Sequence, residues 1–125
     1  MAELPLILVV EDDYQLQSIV EEALRDGGFE TDILSSAEEA LTLFKTGSKN
    51  YQALVTDVNL KGRLSGWGVA RQIREKDLAF PVVYMTGAGG DEWASQGVPN
   101  SILLQKPFAP AQLVTAVSQL LNSAS

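Results

Sequence analysis

Four stretches of the chain are apolar at almost every position: residues 6–10, 53–55, 82–85 and 102–104. The second runs on into Thr56 and Asp57, and the third into Thr86. Unbroken apolar runs of this length suit strands covered on both faces, as in a parallel sheet. Residues 30–34 alternate and are more polar, which predicts a strand at the sheet edge. Between these runs the apolar spacing becomes helical. Leu16, Ile19, Val20, Ala23 and Leu24 recur as one helix face, and Gly27 and Gly28 stop it. Ser36 and Glu39 stand at capping-box spacing, with Ala37, Ala40, Leu41 and Phe44 behind them and Gly47 at the end. Trp67, Ala70 and Ile73 share a third face, with Val69 beside them and Pro81 beyond. Leu113, Ala116, Val117, Leu120 and Leu121 make a last amphipathic helix with Pro110 near its start. Residues 87–101 carry Gly87, Gly89, Gly90, Gly97 and Pro99, so a helix there is predicted to be one or two turns over 91–96, in a mobile region. The order βαβαβαβ, a weak helical segment, then βα, predicts one α/β domain over residues 1–125, with helices on both faces of a parallel sheet.

Composition narrows the chemistry. The chain has neither histidine nor cysteine. That excludes a histidine base, histidine or thiolate metal ligands, and disulfides. No apolar run approaches the ~18 residues of a membrane span, and residues 1–5 lack a basic leader and carry Glu3. A cytoplasmic location agrees with both. Net charge is −7, with 12 acids and 3 bases in residues 1–60 against 4 acids and 6 bases in residues 61–125. An acidic domain is a poor match for nucleic-acid phosphates. Most of the acids read as solvated surface, but those adjoining apolar strands do not.

In an open α/β sheet, ligands bind at the carboxyl ends of the strands. There the sequence places Glu11, Asp12 and Asp13 after the first strand, Asp57 and Asn59 at the end of the third, Thr86 at the fourth, and Lys106-Pro107 after the fifth. Asp13 reads as the cap of the first helix and stays outside the candidate metal set. Glu11 and Asp12 admit the same capping role, Asp57 that of a strand-end cap, and Lys106 that of a solvated charge. Their convergence on one rim favours function. Trp67 and Phe108 read as packing groups, while Trp93 is a candidate for an exposed partner contact.

Ile-Leu-Val-Val-Glu11-Asp12, Leu-Val-Thr-Asp57, Met-Thr86-Gly and Lys106-Pro107-Phe108, in this order and spacing, resemble the receiver domain of two-component response regulators over nearly the whole chain. The resemblance implies a flavodoxin-like, doubly wound five-stranded sheet of order 2-1-3-4-5. It implies Asp57 as phosphoacceptor, and Lys106 and Thr86 as its partners. It also implies Mg²⁺ held by Asp12, by Glu11 directly or through water, by Asp57 and by the backbone carbonyl of Asn59, together with a cis Lys106–Pro107 peptide. Crowded carboxylates repel one another and take up protons. A hard divalent cation relieves this and accepts phosphate oxygens. The implied donor is a sensor histidine kinase or a histidine phosphotransfer protein, and the chain is expected to be a signalling module rather than a turnover enzyme. The family also admits a homodimer formed on phosphorylation, for which no motif is visible. No output domain is expected, which leaves a stand-alone regulator or a fragment of a longer protein. The irregular fourth helix leans toward receivers attached to sensor kinases or acting as phosphate sinks.

The sequence departs from the family in four places. Leu103 occupies the position of a usual aromatic that reorients with the threonine. The fourth helix is degraded. The loop from Asp57 to Gly66 is one residue longer than usual, with Lys61 in place of a common proline. Ala88, two after Thr86, cannot orient water, which predicts that phosphate is not lost especially fast. Lys61 and Arg63 put positive charge near the acidic rim, either as a solvated loop or as an attraction for the donor. Competing readings are a pseudo-receiver that only binds protein, a haloacid-dehalogenase-type phosphatase, and a nucleotide or flavin domain. The intact Glu11, Asp12, Asp57, Thr86 and Lys106 oppose the first. A first strand ending in Glu11-Asp12-Asp13, with neither an Asp-x-Asp nucleophile motif nor a glycine-rich loop, opposes the others.

Overall fold

The computed structural model describes residues 3–88 and 90–123. Met1, Ala2, Gly89, Ala124 and Ser125 lie outside the described residues, and with them one glycine of the 87–101 stretch. The strands are β1 (Leu6–Val10), β2 (Glu30–Leu34), β3 (Tyr51–Asp57), β4 (Val82–Thr86) and β5 (Ile102–Gln105). The helices are α1 (Tyr14–Asp26), α2 (Ala37–Thr46), α3 (Gly66–Lys76), α4 (Trp93–Gln96) and α5 (Pro110–Ser123). The sheet order is β2-β1-β3-β4-β5 and every pairing is parallel. This is the doubly wound 2-1-3-4-5 arrangement, with β2 at an edge as its alternation predicted.

The unbroken apolar runs have a simple cause. Leu8 and Val10 of β1, Leu54 of β3, and Val82 and Tyr84 of β4 face α2 and α3. The residues between them, Ile7, Val9, Ala53, Val55, Val83 and Met85, face α1 and α5. Each central strand therefore buries both parities, and each fully buried Val, Leu or Ile contributes about 1.5–3 kcal/mol. The register shifts between Leu6 and Ile7, so β3 begins at Tyr51, two residues before its apolar run.

Local signals set the helix ends. Asp13 caps α1, its Oδ1 accepting from the Gln15 and Leu16 amides at 2.9 and 3.3 Å. Ser36 Oγ accepts from the Glu39 amide at 3.2 Å and donates to Glu39 Oε1 at 3.0 Å. Gly47 closes α2 in the left-handed conformation. One core expectation needs correction. Ile19 is exposed on α1, at 48%; the buried stripe is Val20, Ala23 and Leu24, with Leu16 packed beside it. Ile19 sits at the flank of a stripe narrower than the hydrophobic spacing suggested.

The fourth helical segment is short: a 3-10 turn, Gly90–Glu92, runs into the four-residue α4. Polar contacts fasten it on either side. Trp93 Nε1 donates to Ser101 Oγ at 2.9 Å, and Arg71 Nη2 to Gln96 Oε1 at 2.9 Å. Trp93 is the exposed tryptophan, whereas Trp67 is buried with its ring centroid 4.6 Å from that of Tyr84. Phe108 is partly buried against the α1–α5 side. Both rings pack, as expected.

Candidate functional site

The carboxyl ends of the strands bring the expected residues together. Glu11 follows β1 and is fully buried; its backbone amide continues the sheet by donating to Leu34 O at 3.0 Å. Asp57 ends β3 and is 6% exposed. Glu11, Asp12 and Asp57 each offer a carboxylate oxygen, and the three oxygens lie within 4.8 Å of one another. Lys106 reaches in from beyond β5. Its Nζ stands 3.1 Å from Glu11 Oε1 and 3.3 Å from Asp57 Oδ2. The Lys106 amide donates to Thr86 O at 2.8 Å, which places the lysine beside β4, and the Lys106–Pro107 peptide is cis. Thr86 is buried at the end of β4, and its hydroxyl donates to the Ala88 carbonyl. The Asn59 side chain donates to the same carbonyl at 3.4 Å.

Three acids around one ammonium leave local negative charge in excess. Burial pushes the Asp57 carboxyl above its ordinary value. Lys106 and the Asn59 amide pull it back only in part, and Asp12 adds repulsion. Burial also raises Glu11, against the Asp13 amide and Lys106 and with the help of the Asp57 charge. Burial disfavours the Lys106 ammonium, yet Asp57 and Glu11 outweigh it and hold the lysine above its ordinary value. The donor set is oxygen only, crowded, and short of positive charge. That chemistry fits a hard divalent cation such as Mg²⁺. A separate cleft, lined by Arg74, Ala79, Pro81 and Asn100, opens at the opposite end of the sheet.

Several supporting groups were not visible in the sequence. Gln17 Nε2 donates to Glu11 O at 2.5 Å and to Ser35 Oγ at 3.2 Å, tying α1 and the β2 end to the first acid. Gly66 begins α3 against the backbone of Asp57: a Cβ there would sit 2.1 Å from Asp57 O. Besides its charge, Lys61 reaches the acids through its backbone amide, which donates to Asp12 Oδ2 at 3.2 Å. The Gly66 spacing was the one available signal. The others are set by backbone paths that residue types do not report.

A profile of the response regulator receiver domain matches residues 7–118. The chain is 31% identical over 121 residues to transcriptional regulatory protein ResD of Bacillus subtilis, covering 95% of this chain and 49% of that one. It is 31% identical over 120 residues to the probable transcriptional regulator ycf27 of Porphyra purpurea, covering 94% and 48%. The chain thus spans about half the length of these curated relatives. Among solved structures, a response regulator receiver protein from Sinorhizobium medicae superposes with a TM-score of 0.95 at 43% identity, over 98% of both chains.

Proposed function

The chain belongs to the response regulator receiver domain family of two-component signalling, and from that footing we propose that residues 1–125 act as one receiver unit whose phosphoacceptor is Asp57. The observation that carries this reading is the setting of Asp57: 6% exposed at a strand end, with the Lys106 ammonium 3.3 Å away and the carboxylates of Glu11 and Asp12 within 4.8 Å.

In the proposed reaction an Asp57 carboxylate oxygen attacks the phosphorus of a phosphoramidate or acyl phosphate. A new O–P bond forms as the bond from phosphorus to the leaving imidazole nitrogen or acetate oxygen breaks. The leaving group carries away the electron pair, and a departing imidazole takes up a proton. Glu11, Asp12, Asp57 and the Asn59 carbonyl are the groups that would hold Mg²⁺, which would supply positive charge against the transferring phosphoryl oxygens. Lys106 supplies the protein's own positive charge at the same place. Thr86 gives up its bond to Ala88 and donates to a phosphoryl oxygen after transfer. The upstream donor is a sensor histidine kinase or a histidine phosphotransfer protein. No helix among the described residues is long and apolar enough to cross a membrane.

Intact mass after incubation with Mg²⁺ and acetyl phosphate tests the acceptor. Wild type should gain one phosphate and Asp57→Asn none. Equal labelling of both would remove Asp57 from its role, and labelling of neither by any phosphodonor would make the chain a protein-binding pseudo-receiver. Ala88 offers no polar side-chain atom to orient a hydrolytic water, so the phosphorylated form should persist longer than that of a fast-cycling chemotaxis receiver. Decay of the phosphorylated mass in the presence of Mg²⁺ measures it.

A further inference from the structure

The acids of the rim are not positioned by the strands alone. Asp12 lies beyond β1, and its Oδ2 accepts the Lys61 amide from the β3–α3 loop at 3.2 Å. That loop is in turn held from a third direction. Glu38, in the first turn of α2, accepts the Arg63 amide at 3.0 Å and the Leu64 amide at 3.1 Å, both on Oε2. Two successive amides converging on one anion form a small backbone nest. Gly62 enters it with φ 103°, and a Cβ there would lie 3.2 Å from each Glu38 oxygen. An acid in a helix's first turn is ordinarily a solvated charge matched to the helix dipole. Glu38 does more, because its contacts cross some 25 positions of sequence to the loop that carries the Asp12 contact. Backbone amides around it, those of Arg63 and Leu64 included, hold its carboxyl below the ordinary value and keep it an anion.

We propose that Glu38 is a positioning residue for the cation site, acting through residues 61–64 on the Asp12 carboxylate. The proposal rests on the reading of Glu11, Asp12 and Asp57 as a Mg²⁺ site. With Glu38 in place, the nest holds the loop, and the Lys61 amide on Asp12 Oδ2 fixes that carboxylate beside those of Glu11 and Asp57. Without it, the Arg63 and Leu64 amides turn to water, the loop relaxes, and Asp12 regains rotamer freedom that cation binding must then remove. Glu38 touches no ligand itself.

Mg²⁺ affinity by isothermal titration calorimetry, with amide exchange at Lys61 followed in the metal-free protein, tests it on wild type, Glu38→Ala, Glu38→Gln and Gly62→Ala. Glu38→Ala should weaken Mg²⁺ binding roughly tenfold, the lower end of what orienting partners of metal ligands contribute, and should speed exchange at Lys61. Glu38→Gln keeps an acceptor oxygen and should recover most of the affinity. Gly62→Ala displaces the nest without removing charge and should weaken binding as Glu38→Ala does, which keeps the test open if that variant does not fold. Equal losses in Glu38→Gln and Glu38→Ala would reduce Glu38 to a distant charge and overturn the proposal. Wild-type binding together with an indifferent Glu38→Ala would overturn it alone, whereas a wild type that binds no Mg²⁺ overturns the cation site as well.

Discussion

Asp57 and Glu11 are unusual among the acids of this chain because both are buried beside each other and share one lysine. Such a cluster costs folding free energy, since burial and mutual repulsion both disfavour the charged forms. Asp57→Asn keeps the shape and removes one charge. It should stabilise the metal-free protein by about 1–2 kcal/mol at neutral pH, seen as a raised urea midpoint in the presence of a chelator, while abolishing phosphorylation. A lowered midpoint would mean that the Lys106 pair outweighs the repulsion. The identity of these residues was legible in the sequence, because charged side chains at the ends of apolar strands have no packing role. Their pairing was not. Nothing in the one-dimensional spacing says that Lys106 bonds Glu11 as well as Asp57, or that Thr86 and Asn59 both reach the Ala88 carbonyl.

Elements meet the site through their ends. The start of α3 is pressed onto the carbonyl of Asp57 so closely that only a glycine fits at position 66. Gly66→Ala should cost at least about 2 kcal/mol through a clash with backbone that cannot step aside, read by chemical denaturation. A near-neutral change would mean that α3 can shift freely relative to β3. A second tie spans β1 away from the site. Asp32 of β2 accepts from Tyr51 OH at 2.7 Å and from Lys49 Nζ at 2.9 Å. Burial opposes the Asp32 anion, but Tyr51 and Lys49 outweigh it and lower its carboxyl below 3.8. A depressed carboxyl contributes stability above its unfolded value, and that contribution disappears as pH falls through the folded value. Tyr51→Phe should therefore cost about 1 kcal/mol at pH 7, and the gap to wild type should close below pH ~3.8. Thermal melts across pH check both the size and the sign.

Across the molecule, the short α4 region is braced from α3. Arg74 donates to the carbonyls of Phe80 at 2.6 Å and Pro99 at 2.7 Å. Behind it, Tyr84 OH accepts the buried Val98 amide at 3.1 Å. These bonds tie residues 97–100 to the α3 face of the sheet, on the side where Leu103 packs. Arg74→Ala should destabilise the fold by about 1–3 kcal/mol, since it strands carbonyls that now have a charged donor. It should raise amide exchange over residues 97–101 while leaving Mg²⁺ affinity unchanged, because the brace lies at the far end of β4 and β5 from the acids. A fall in Mg²⁺ affinity would show that the two ends of the sheet are coupled through β4.

Hydrophobic period is a local property, so the order of strands and helices, the edge position of β2 and the caps at Asp13, Ser36 and Gly47 could be read from the chain alone. So could the acids, hydroxyl and lysine of the rim, because a sheet of this kind presents the strand ends together whatever the details. The shortness of α4 followed from the glycines that flank it. Other features depended on how separate segments approach in three dimensions. Ile19 looked like core and is exposed, since the width of a buried stripe depends on how its neighbour packs. Lys61, besides its charge, contributes an amide to Asp12 that its residue type does not announce, since a loop's backbone path is set by its anchors. Gly66, Gln17 and Glu38 acquire their roles only from what stands opposite them, at distances of ångströms that sequence separations of 6 to 25 positions do not encode.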